Sequence, residues 1–173
     1  DELPGLAAVP GVWRGRLGDA FGVVAGAFLR QHSNRADSIP CPHDCGCAHA
    51  VVERADGSLV GVCRCDPWCC EDVELLAGDV AVLGLNPAKL GRAICRAFDC
   101  EAKAVELALP NTWQVGAYSA DAVPIVLTVQ HEPDEFRRVV CELAARLRER
   151  FILLAPMSRF VDGPCRELLE NHK

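Results

Sequence analysis

With 173 residues, half of them hydrophobic, the chain is long enough for one full core, or for a small metal module attached to a compact domain, and it does not need disulfides to fold. A formal net charge of −6 excludes a protein that is basic overall, as nucleic-acid binders usually are, so any contact with phosphates must rest on a local patch. No apolar run approaches the length of a membrane span, and the stretch from Phe21 to Leu29 is broken by Gly22 and Gly26 and closed by Arg30, so the expected location is the cytoplasm.

The first predicted element is a helix from Gly11 to His32. Trp13, Leu17, Phe21, Val24 and Phe28 recur at three- and four-residue steps, the stripe of a helix laid on a core. Gly15, Gly18, Gly22 and Gly26 each lower helix propensity by about 1 kcal/mol relative to Ala and make an irregular helix an alternative. The polar stretch Gln31 to Pro40 reads as a linker, so residues 1–40 form an N-terminal helix and its connection.

Residues 41–75 carry the densest chemistry in the chain. Cys41, Cys45 and Cys47 lie in CPHDCGC, and Cys63, Cys65, Cys69 and Cys70 in CRCDPWCC, on either side of AHAVVERADGSLVGV. A three-residue loop at Ala55, Asp56 and Gly57, with Gly57 left-handed, pairs Arg54 with Ser58, and counting outward sets His49 opposite Cys63 and Cys47 opposite Cys65. Strand alternation then puts Cys45, Cys47, His49, Cys63 and Cys65 on one face, with Ala50, Val52, Val60 and Val62 as an apolar second face expected to pack on a core. The mirrored spacings, C-x3-C-x-C and C-x-C-x3-C-C, resemble a zinc ribbon, although ribbon knuckles are typically C-x2-C. The resemblance implies a structural zinc on four sulfur or nitrogen ligands. Cys41 and Cys45 from the first loop, with two of Cys63, Cys65 and Cys70 from the second, are the expected set. Seven sulfurs and the imidazoles of His43 and His49 exceed four places, so there is either one metal with spare donors or more than one metal. An iron–sulfur cluster, and disulfides or free redox thiols, are the competing uses, and the odd total of eleven cysteines argues against complete pairing. Surplus thiols also raise a redox-sensing variant. Cys95, Cys100, Cys141 and Cys165 read as small apolar residues.

Residues 76–108 are predicted to be helical. Pro87 at a first helical position after Asn86 starts a helix running to about Phe98, and Glu71 to Leu83 would form a shorter one before it. DVAVLGLNPAKLGRAI resembles a helix-turn-helix, with Gly84 at the turn and Leu85, Leu90 and Ala93 pointing inward. That resemblance implies DNA or RNA contact through Lys89, Arg92 and Arg96, spaced along one helix face.

The region 109–173, expected to pack with the N-terminal helix, reads as strand, strand, helix, strand, helix. TWQVGAYS and AVPIVLTVQ are strands joined at Ala120 to Ala122. Pro133 opens a helix with the stripe Phe136, Val140, Leu143 and Leu147, FILLAPM is a buried strand, and Asp162 with Pro164 caps a final helix. This order predicts a βαβ crossover in a partly parallel sheet. The whole chain is therefore expected to be of mixed α+β or α/β class: an N-terminal helix, a zinc-stabilised β-hairpin, a helical segment and a C-terminal half-domain.

Beyond the strand ends stand Gln130, His131, Glu132, Ser158 and Arg159, where a small hydrolase would place its site. None of the G-x-S-x-G, phosphate-loop, dinucleotide or H-E-x-x-H motifs occurs, so no catalytic residue is assigned. The function expected is a zinc-stabilised regulatory or adaptor protein contacting nucleic acid through the 86–98 helix. The alternatives are a non-enzymatic interaction subunit of a larger assembly and a hydrolase at the sheet edge. Fifteen arginines against three lysines point to a GC-rich bacterial source.

Overall fold

The computed structural model describes residues 6–43, 45–67, 69–156 and 158–172, which divide into two compact units at Asn86 and Pro87. Helices and strands are mixed throughout, with the strands gathered into three sheets.

In the first unit, β1 (Ala7–Ala8) is followed by α1 (Pro10–Leu17), a 3-10 turn (Gly18–Ala20), α2 (Phe21–Phe28) and β2 (Leu29–Arg35). The single helix expected from Gly11 to His32 is thus interrupted. Gly18 takes φ +53°, a left-handed conformation that a helix cannot continue through. From Leu29 onward the chain pairs antiparallel with β7 (Ala81–Leu85) instead of remaining helical. β7 is the middle strand of the order β1-β7-β2, and the Trp13 indole donates to the Leu83 carbonyl at 2.8 Å, holding α1 in this unit.

The expected linker 31–40 contains the end of β2 and all of β3 (Ser38–Pro40). β3, β4 (Ala48–Glu53), β5 (Leu59–Cys63) and β6 (Val73–Leu75) form an antiparallel meander in chain order. The central register is the expected one: His49 faces Cys63, Val52 faces Val60, the Arg54 amide donates to Ser58 and Gly57 sits at φ +83°. The core-facing side differs from expectation. Ile39 pairs with His49 and Leu59 with Leu75, and Val51 and Leu59 pack on the buried cluster of Val9, Ile39 and Val80. Cross-strand partners share a face, so the side that carries His49 and Cys63 is also the core side. On the other side Val60 is buried, while Val52 stays 36% exposed.

The helix-turn-helix is not formed, because the segment expected as its first helix contains strands. Val73–Leu75 is β6, pairing with β5, and Ala81–Leu85 is β7. Gly84, expected at the turn, lies mid-strand, where the His32 ring occupies the space a Cβ would need.

The second unit opens with α3 (Pro87–Ala97), starting at Pro87 as expected. β8 (Glu101–Glu106), β9 (Thr112–Tyr118), β10 (Val123–Thr128), α4 (Pro133–Arg146), β11 (Ile152–Leu154) and α5 (Gly163–Asn171) follow. The sheet order is β11-β10-β9-β8, with β10 and β11 parallel across the α4 connection. Alternation along β10 splits the core into layers: Ile125 and Leu127 pack with Val115 and Leu90, while Val126 packs with Val139 and Leu143 of α4. Two glycines allow the first layer to close. A Cβ on Gly91 would stand 2.7 Å from Val115 Cβ, and one on Gly116 2.6 Å from the Glu101 carbonyl oxygen. Phe136 and Val140 join Phe160 and Cys165 between α4 and α5, whose N-terminus is capped by Asp162 accepting from the Cys165 amide at 2.9 Å. In FILLAPM the strand covers Ile152–Leu154, and Met157 lies outside the described residues.

Candidate metal centre

A meander places alternate connections at the same end of the sheet. The β3–β4 connection, Cys41 to Cys47, and the β5–β6 connection, which follows Cys63, therefore come together, opposite the Ala55–Gly57 hairpin. The first loop is closed by the Cys41 amide donating to the Cys47 carbonyl at 2.9 Å, and Gly46 at φ +75° supplies its left-handed step. The His43 amide donates to Cys41 Sγ at 3.3 Å.

The sulfurs of the two loops meet. Cys70 Sγ lies 3.7 Å from Cys41, 3.4 Å from Cys45, 3.3 Å from Cys47, 3.5 Å from Cys63 and 3.4 Å from Cys69. Cys45 and Cys47 are 3.1 Å apart, Cys63 and Cys69 3.7 Å, and Cys47 and Cys63 4.0 Å. A tetrahedron with metal–sulfur bonds near 2.3 Å has edges of about 3.8 Å, whereas a disulfide brings its sulfurs to about 2.05 Å. The separations match shared coordination, and all eleven cysteines are free thiols. Among the described residues, three sets of four donors each have their ligand atoms within 4.8 Å of one another: Cys41, Cys45, Cys47 and Cys70; Cys47, Cys63, Cys65 and Cys69; and Cys47, His49, Cys63 and Cys70.

Of the residues expected as ligands, Cys41, Cys45 and Cys70 fall in one group, with Cys47 completing it in place of Cys63 or Cys65. Cys63 and Cys65 fall together in another. Cys47, common to all three, stood outside the expected ligand set, as did Cys69 and His49. The sequence signal for Cys47 and His49 was present in the strand face they share with Cys63.

His49 gives the fit its sharpest test. Its side chain is fully buried, Nδ1 is 3.1 Å from the Gly61 carbonyl, and Nε2 is buried without a hydrogen-bond partner among the described residues. A carbonyl accepts only, so the proton sits on Nδ1 and the Nε2 lone pair is left bare, the tautomer of a metal-binding histidine. Gly61 makes room for the ring, since a Cβ there would come 3.3 Å from His49 Cβ. A buried imidazole nitrogen without a partner costs about 1–3 kcal/mol, and a cation among the adjacent thiols would relieve that cost.

Without a cation the thiols divide their protons unevenly. Hydrogen bonding with the Cys47 side chain and amide pulls Cys45 down to about 6, and the amides of Cys65 and Cys69 hold Cys63 down to about 5. Cys47 is pushed up chiefly by its contact with Cys45, Cys70 chiefly by burial, and Cys69 to about 11 by Cys65. Proton-rich and proton-poor sulfurs side by side form a site where one divalent ion can displace several protons.

The residues expected to meet nucleic acid lie elsewhere. On α3, Gly91 and Cys95 are buried, and a turn of about 100° per residue gathers Lys89, Arg92 and Arg96 on one flank of the helix beside them, with Arg92 and Arg96 exposed. At the strand ends of the second unit, the Gln130 amide donates to the Pro110 carbonyl at 2.7 Å and to Thr128 Oγ1 at 2.9 Å, while Thr128 Oγ1 lies 2.9 Å from Thr112 Oγ1. Gln130 is thereby engaged in holding the end of the sheet. Among the described residues no helix is long and apolar enough to cross a membrane. No protein-family model, curated protein or solved structure matches the chain.

Proposed function

We propose that the β3–β6 meander is a structural zinc module, with Cys41, Cys45, Cys47 and Cys70 holding the metal, in a regulatory or adaptor protein that contacts nucleic acid through α3. One observation carries the metal assignment: two chain-distant loops deliver four sulfurs at separations that fit a tetrahedral ion. Zinc takes four such ligands without redox or geometric demand, and when bound there it ties the two loops together. Four protein ligands leave no open position for substrate, which favours a structural role over a hydrolase.

The nucleic-acid contact is supported by the grouping of Lys89, Arg92 and Arg96 on one flank of α3, with Arg92 and Arg96 exposed. In an acidic protein, such a patch would have to bind phosphates locally. Three contacts would give log affinity against log salt a slope of about −2.7. The test is fluorescence anisotropy of the full chain with duplex DNA and with RNA across a salt series, together with elemental analysis of the protein. The triple substitution Lys89→Glu, Arg92→Glu, Arg96→Glu is expected to abolish binding at low salt. Binding unaffected by it would exclude α3 as the contact, and no binding to either nucleic acid would leave the non-enzymatic interaction subunit as the reading.

A further inference from the structure

The clustered donors exceed one tetrahedral site and match two. We infer that the module holds two zinc-class ions that share the Cys47 thiolate, one on Cys41, Cys45, Cys47 and Cys70 and the other on Cys47, Cys63, Cys65 and Cys69. The inference rests on the structural-zinc reading above and adds a second ion to it.

The two all-sulfur groups have Cys47 in common and no other residue, and together they take in all seven cysteines of the module. Two four-coordinate ions need eight positions, and seven thiolates fill them when one bridges. The bridge falls on the sulfur that the two groups share, which lies 3.1 Å from Cys45 and 3.3 Å from Cys70 in the first group and 4.0 Å from Cys63 in the second. With a single ion on the first group, Cys63, Cys65 and Cys69 would remain as three thiols crowded against an occupied site. The third grouping, with His49, also contains Cys47 and spans both sets, so the imidazole borders the bridge.

The arrangement also explains the mirrored spacing of the two clusters. Each loop gives most of its sulfurs to one ion and one sulfur across to the other: Cys70 crosses to the first site and Cys47 to the second. Neither ion can leave without disturbing the sulfur that holds its neighbour.

The test uses the full chain loaded anaerobically with Zn²⁺, and then with ¹¹³Cd²⁺ as a spectroscopic substitute. Two metals per folded chain are expected, falling to one in Cys41→Ser and in Cys69→Ser. Cys47→Ser, which damages both sites, is expected to hold less metal than either. Because these variants could unfold, the decisive measurement is ¹¹³Cd NMR of the unaltered chain, with two resonances in the all-sulfur range split by coupling through the shared sulfur. One metal per folded chain would overturn the second site and leave the single-zinc reading standing, whereas no bound metal would overturn both. A resonance in the range of three sulfurs and one nitrogen would assign the fourth place to His49 and overturn the seven-sulfur assignment.

Discussion

With zinc held by the meander as proposed, its removal should melt the first unit and spare the second. Among its described residues, the buried apolar side chains of the first unit other than Pro10 and the thiols are Val9, Leu29, Ile39, Val60 and Val80. At about 2 kcal/mol each, these supply roughly 10 kcal/mol of burial. A structural zinc contributes about 10–16 kcal/mol in small modules at neutral pH, so it equals or exceeds that apolar contribution. The second unit buries Val115, Ile125, Val126, Leu127, Phe136, Val139, Val140, Leu143 and Phe160 and has no such dependence. Calorimetry with and without a strong chelator should resolve two transitions, and a loss of only about 3 kcal/mol in a unit of this size lowers its midpoint by roughly 12–24 °C. Hydrogen exchange assigns the transition: amides of β3 to β6 should lose protection while those of β9 and β10 keep it. Complete metal removal, verified by elemental analysis, that left both midpoints and the β3–β6 amides unchanged would refute the reasoning.

Three further outcomes follow from individual contacts. Gly116→Ala drives a methyl to 2.6 Å from the Glu101 carbonyl oxygen, so β8 must shift; a loss of about 1–3 kcal/mol in the second unit is expected in denaturant titration, with metal content unchanged. Asp162→Ala removes the α5 cap at a cost of about 0.5–2 kcal/mol near neutrality. The Cys165 amide, and then Arg137, hold the Asp162 carboxyl down to about 2 from 3.8, so its contribution is complete above about pH 4 and fades as the pH falls toward 2. Midpoints of the parent and the variant, followed over that range, should converge at the acid end. Gly57→Val forces a β-branched residue into φ +83°, and a cost of about 1–2 kcal/mol to the hairpin should appear as faster exchange of the Arg54 and Ser58 amides.

The hairpin was legible because turn chemistry and two-residue alternation are local. Gly57 set the loop, and the count from Arg54 and Ser58 led to His49 opposite Cys63. The C-terminal elements were legible because α4 carries a full apolar stripe and Asp162 with Pro164 marks a helix start. β7 was not, since AVLGL is too short an apolar run to distinguish a buried helix turn from a strand, and it is strand because it lies between β1 and β2. β2, with sequence LRQHSNR, is polar and largely exposed beyond Leu29, and its pairing with β7 comes from sequence far away. β3 and β6 are three residues each, below any periodicity. Missing those flanking strands obscured the site, because they position both cysteine loops at one end of the meander. The central place of Cys47 is a property of three dimensions: C-x-C spacing does not say which sulfur faces both partners.

The gathering of every clustered thiol at one end of the meander leaves the other end, at Ala55 to Gly57, to the hairpin's own hydrogen bonds, the Arg54 amide to Ser58 and the Gly57 amide to Arg54. With metal bound among those thiols, β4 and β5 would be clamped at Cys47 and Cys63 and held at the tip by the turn alone. Evolution or an engineer could lengthen this tip, or thread another peptide through it, without touching a ligand. A sheet pinned in this way behaves as a cantilever, with its anchorage in the chemistry and its reach in the loop.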